Sequence, residues 1–193
     1  MRLILLHGWG ASGDDLLPLG QALVATGGWP VAAVTMRCLE APQAHPAGGA
    51  ARQWYDLQQP GWPDQPQAVE LLKQRLEQEL AEAGDDPVVV LGFSQGAAMA
   101  LDAALELPVA AVIACSGYPH PQWRPGSGPL APLLLLHGRQ DAVVPVAALA
   151  EISQRVREAG GEVRELVLEA EHTIPAAAVA AAAAFLLELG IKP

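Results

Sequence analysis

Short apolar runs alternate along the chain with longer amphipathic stretches. The runs are Leu3–Leu6, Val31–Met36, Val88–Leu91, Ala110–Cys115, Leu133–Leu136 and Val163–Leu168. Such runs predict strands, and a continuous apolar one such as Val88–Leu91 predicts a strand buried on both faces. Between them, apolar residues recur at helical spacing. Helices are predicted over Asp15–Ala25, Gln67–Ala83, Gln95–Leu107, Val146–Glu158 and Ala176–Leu189. Gly84, Gly160 and Gly190 follow three of these helices, where a left-handed cap residue is wanted. A βαβα alternation predicts an α/β protein with a mostly parallel sheet of six to seven strands and helices on both faces. In such a sheet ligands bind beyond the carboxyl ends of the strands. Loops that follow strands are therefore the ones to search for chemistry.

Two of these loops are long. Arg37–Asp64 is rich in Pro, Gly and Gln, and Ser116–Pro132 reads SGYPHPQWRPGSGPLAP. Long loops without regular structure are commonly functional. Trp9, Trp54, Trp62 and Trp123 all fall after strands, whereas Trp29 precedes one. Tyr55 and Tyr118 share the active side. Trp54, Tyr55, Trp62, Tyr118 and Trp123 are thus candidates for an apolar acyl pocket.

Composition narrows the function. At 193 residues, 51% of them hydrophobic, the chain suits one domain, residues 1–193. Its net charge of −10 and pI near 4.8 disfavour nucleic acid and anionic membranes as partners. The longest apolar stretch, Ile174–Leu187, is alanine-rich, contains Pro175 and is shorter than the ~20 residues of a membrane span. The opening MRLILLHGWG reads as a first strand rather than a signal peptide, so the expected location is cytoplasmic. Cys38 and Cys115 are too few for a disulfide framework. No zinc spacing, phosphate loop or dinucleotide fingerprint is visible, so neither metal nor cofactor is expected.

One motif carries chemistry. Gly-Phe-Ser-Gln-Gly, residues 92–96, lies between an apolar run and a helical stretch. A serine at a sharp strand-to-helix turn is held in a strained conformation with its hydroxyl exposed, as a nucleophile requires. Ser94 then needs a base and the base needs an orienting carboxylate, following Ser94 in the order acid, then histidine. Of the five histidines, only His172 lies on the loop after the last strand. Asp141, in LLLLHGRQDAVVP, lies in the loop after the fifth strand, on the active side; Glu169 and Glu171 are alternatives. Oxyanion donors are expected from the backbone amide of Gln95 and from the glycine-rich loop HGWGASGDD, with Trp9 as the candidate.

Taken together, LLHGWGASGDDL, AARQWYDL, LGFSQGAAMAL, CSGYP and LLLLHGRQDAVVP resemble the phospholipase/carboxylesterase family, which includes acyl-protein thioesterases. The resemblance covers nearly the whole chain. It implies an α/β-hydrolase fold without a separate cap domain, and hydrolysis of carboxylic esters or thioesters without a cofactor. It also implies Ser94 as nucleophile, Asp141 as acid, His172 as base, and Trp9 and Gln95 as oxyanion amides. The implied partner is a small-molecule ester or thioester, with an acylated protein a further candidate. A peptidase or acyltransferase would use the same triad, with Arg124 as a candidate anchor for a peptide terminus. A non-catalytic binding protein would be expected to lack a triad member.

Overall fold

The computed structural model of the chain describes residues 1–192. β1 (Arg2–Leu6) is followed by a 3-10 turn at Gly13–Leu16 and α1 (Leu17–Thr26). β2 (Thr35–Leu39) leads into a small hairpin, β3 (Gln43–Ala44) and β4 (Arg52–Gln53). Then come α2 (Gln65–Ala83), β5 (Val88–Phe93), α3 (Gln95–Ala104), β6 (Ala111–Cys115) and β7 (Leu133–Gly138). α4 (Ala147–Glu158), β8 (Val163–Leu168) and α5 (Ala176–Glu188) complete the fold.

Six strands form one parallel sheet in the order β2-β1-β5-β6-β7-β8. Side chains alternate across a strand, so each central strand feeds two cores. Ile4, Leu6, Val88, Val90, Val112, Leu133 and Leu135 pack with α2, α3 and α4. Their neighbours Leu3, Leu5, Val89, Leu91, Ile113, Leu134 and Leu136 pack with α1 and α5. Burial on both sides explains the unbroken apolar runs. The edge strands are covered less completely, and charged residues enter them: Arg37 in β2, and Arg164 and Glu165 in β8.

The second strand departs from expectation. Val31–Ala33 is a 3-10 turn, and the strand is Thr35–Leu39. β2 is an edge strand with one face partly in solvent, so its alternating TMRCL outranks the more apolar VAAV. α3 also ends early, at Ala104.

On α2, Ala68, Leu72, Leu76 and Glu79 are buried at helical spacing. Glu79 is tolerated there because Arg2 and Arg37 both pair with it, at 2.5 and 3.1 Å. The sheet's carboxyl ends are covered by the hairpin and the long loops. No cap domain is present among the described residues. Among the described residues, no helix is long and apolar enough to cross a membrane.

Candidate active site

Ser94 sits between β5 and α3 with φ 53° and ψ −117°. A non-glycine residue at positive φ is strained and must be held by its surroundings. Its amide donates to the Cys115 carbonyl at 2.9 Å, and its carbonyl takes the amides of Ala97 and Ala98. Gly92 and Gly96 make the turn sterically feasible. A β-carbon on Gly92 would overlap the Gly96 carbonyl, and one on Gly96 the Leu6 carbonyl.

His172 Nε2 lies 2.9 Å from Ser94 Oγ, and His172 Nδ1 lies 2.7 Å from Asp141 Oδ2. A carboxylate only accepts, so the Nδ1 proton points at Asp141 and Nε2 is left to accept the serine proton. Asp141 also accepts the amides of Val143 and Val144, at 2.9 and 2.8 Å. Burial opposes ionisation of this carboxyl. Hydrogen bonds from His172, the Val144 amide, the Ser116 hydroxyl and the Val143 amide outweigh that effect and hold it below the ordinary carboxylate range. Glu169 instead pairs with Arg139 in solvent, and Glu171 is exposed.

Loop 169–172 closes onto the end of β7 because Gly138 has no side chain. A β-carbon there would overlap the carbonyls of Ala170 and Glu171. His137 supports the neighbouring turn, its Nε2 donating to the Val144 carbonyl at 2.9 Å.

The other loop over Ser94 carries Trp9. Gly8 passes so close that a β-carbon there would lie 3.4 Å from Ser94 Cβ. His7 fixes the direction of the next peptide. Its Nε2 accepts the Ala41 amide at 3.0 Å, so its proton is on Nδ1 and donates to the Gly8 carbonyl at 2.8 Å. In a trans peptide the Trp9 N–H points opposite to that carbonyl. Burial lowers the His7 pKa and keeps the ring neutral. Among the described residues, neither the Trp9 amide nor the Gln95 amide has a hydrogen-bond partner.

The hairpin clamps this loop. Gly10 donates to the Arg52 carbonyl at 2.9 Å, and Arg52 donates to the Ala11 carbonyl at 2.8 Å. The Trp9 indole donates to Gln53 at 2.8 Å and meets His45 edge-on.

A cleft of about 570 Å³ opens beside Ser94, its walls including Leu57, Trp62, Tyr118, Val143, Val144 and Glu151. Trp62 and Tyr118 are therefore in the wall, but Trp54, Tyr55 and Trp123 are not. Trp54 is 1% exposed and its indole donates to the His7 carbonyl, while its amide donates to the Gln95 side chain. Gln95 Nε2 in turn donates to the Tyr55 carbonyl at 2.8 Å. Trp54 thus pins its loop to the body of the fold. Trp123 is buried, and Arg155 donates to its carbonyl. Arg124 also bonds the Trp123 carbonyl and does not line the cleft.

A smaller groove of about 270 Å³ lies on the His172 side, lined by Leu16, Leu19, Phe93, Thr173 and Ile174. Sequence reasoning missed His7, Ser116 and Gly138. Their common signal was position, since each stands at or just beyond a strand's carboxyl end.

Residues 1–189 match the phospholipase/carboxylesterase family, and the chain belongs to that family of esterase-type α/β-hydrolases. Esterase PE8 is similar in structure, with a TM-score of 0.83, 29% identity, and 97% of this chain and 92% of that one covered. Arabidopsis thaliana SOBER1 is similar at TM-score 0.77 and 22% identity, with 98% of each chain covered. A carboxylesterase from Mesorhizobium loti is similar at TM-score 0.77 and 17% identity, over 96% of this chain and 88% of that one. No curated protein matches the chain significantly.

Proposed function

We propose that the protein is a serine hydrolase that cleaves carboxylic esters or thioesters through an acyl-enzyme on Ser94. The observation that carries this reading is the unbroken line from Asp141 through His172 to Ser94, facing two unpartnered backbone amides.

Ser94 Oγ attacks the substrate carbonyl carbon as His172 Nε2 takes its proton. The carbonyl oxygen becomes an oxyanion, and the amides of Trp9 and Gln95 donate to it. Asp141 holds the ring orientation and stabilises the imidazolium. The tetrahedral species collapses, and His172 gives the proton to the leaving oxygen or sulfur. Water then enters, loses a proton to His172, and releases the acyl group as a carboxylic acid with Ser94 restored.

The proton donor decides which side is which. His172 lines the smaller groove, so the leaving group departs there. The larger cleft then receives the acyl chain. Apolar residues dominate its walls, and its charged residue, Glu151, is paired with Arg155. That surface suits an uncharged acyl group of short to medium length, on a small ester or thioester or on an acylated protein.

p-Nitrophenyl esters of increasing acyl length test this, with Ser94→Ala as the blank. Turnover is expected to peak at one length and to drop in the mutant by at least about 10⁴-fold. Equal rates in mutant and wild type would overturn it, as would failure of folded protein to react with a fluorophosphonate.

A further inference from the structure

Beside the triad runs a second line of hydrogen bonds that no step above uses. His120 Nδ1 lies 2.9 Å from Asp102 Oδ2, and His120 Nε2 lies 2.7 Å from the Tyr55 hydroxyl. The Tyr55 hydroxyl lies 2.7 Å from that of Tyr118. Gln65 Nε2 donates to the same Asp102 oxygen at 3.1 Å. Tyr55 is 0% exposed and His120 1%. The second Asp102 oxygen is buried without a partner among the described residues. Of these residues, Tyr118 alone lines the cleft beside Ser94, where its ring stands against Trp62 at 5.8 Å between centroids.

The donors can be counted along this line. With one ring proton on His120, each contact along the line has a single direction. The Asp102 carboxylate only accepts, so the proton is on Nδ1 and Nε2 accepts from Tyr55. Tyr55 has a single hydroxyl proton and has now used it. In its contact with Tyr118 it therefore accepts, and Tyr118 donates. The Tyr118 proton is committed inward, and only lone pairs are left for an occupant of the cleft.

We propose that Tyr118 is a hydrogen-bond acceptor in the acyl cleft, oriented by Asp102, His120 and Tyr55, and that it selects acyl chains carrying a hydroxyl. The inference rests on the esterase reading and on the larger cleft as the acyl side. A plain alkyl chain leaves the acceptor unpaired. A ketone sets one lone pair against another. A hydroxyl satisfies it. Buried polar groups discriminate in this way because the wrong occupant strips their water without replacing it. A hydroxyl fits better than a cation, because Glu151, the charged residue of the wall, already has Arg155 as its partner.

The test uses methyl esters at the preferred acyl length, either plain, hydroxylated at each carbon in turn, or bearing a ketone at the same carbons. Acid release is titrated at pH 8 with Ser94→Ala as the blank. At one position the hydroxy ester is expected to exceed the plain ester in kcat/KM by about 10- to 100-fold, with the ketone below the plain ester. Tyr118→Phe is expected to bring these ratios close to one, whatever its rate on the plain ester. Tyr55→Phe frees the Tyr118 proton, so the ketone should rise relative to the plain ester. A wild type indifferent to the hydroxyl at every position would overturn the proposal, as would a Tyr118→Phe protein that keeps the preference. Acid release no faster than with Ser94→Ala on every ester would instead strike the esterase reading.

Discussion

Ser116 lies beside the candidate triad and bears on one member of it. It sits 1% exposed at φ 49°, just past β6, and its side chain helps to hold the Asp141 carboxyl below the ordinary carboxylate range. Removing that hydroxyl takes a stabilising group away from a buried carboxylate. A hydrogen bond to a charged group contributes about 1.5–3 kcal/mol. Ser116→Ala is therefore expected to lower kcat/KM by roughly tenfold or more, while Ser94 still reacts with a fluorophosphonate. Unchanged kcat/KM would remove Ser116 from the account. At this scale the candidate triad was legible, because strand, loop and chain order leave few positions for each partner. His7 and His137 were not. Both precede glycine at a strand end, on the side where catalytic groups are sought, yet their ring nitrogens bond backbone groups.

Among elements, loop 169–172 and the end of β7 depend on contact between backbones. Gly138 allows it, and an added β-carbon must displace the loop that carries His172. Gly138→Ala is expected to cut kcat by about 10²-fold, since small misplacements of a catalytic group have costs of that order. Its urea midpoint should move far less than its rate. A variant with wild-type kcat would show that the loop is positioned by other means. The hairpin has a corresponding role on the opposite side, where Arg52 and Gln53 hold the Trp9 loop. The hairpin was invisible to hydrophobic patterning, because paired segments as short as Gln43–Ala44 and Arg52–Gln53 carry no period.

For the whole molecule, acid is the expected weakness. The folded state lowers the His7 pKa by burial, so below about pH 6.5 the unfolded chain binds a proton that the folded chain refuses. Stability therefore falls as pH drops through that region. Asp141 acts later with the same sign. Its folded pKa is depressed, so its contribution is present above about pH 4 and is lost as pH falls through the folded value. Urea unfolding between pH 8 and 5 should show a declining free energy, with His7 contributing at most about 1.4 kcal/mol per pH unit. His7→Asn should flatten that slope even if it lowers stability throughout. Equal slopes would mean that His7 is not protonated differently in the two states.

Periodicity and turn chemistry by themselves determined the strand-helix alternation, the parallel sheet and the short list of residues at its active end. These are local signals, because burial on two faces writes a continuous apolar run and a glycine-flanked serine marks a sharp turn. Only the tertiary structure decided which aromatics meet the cleft. Trp54 and Trp62 lie in the same loop, yet one is sealed against His7 and the other lines the wall. It likewise decided that Asp102, inside α3, begins a hydrogen-bonded line reaching Tyr118. Both outcomes depend on where distant segments pack against one another, and no local pattern encodes that.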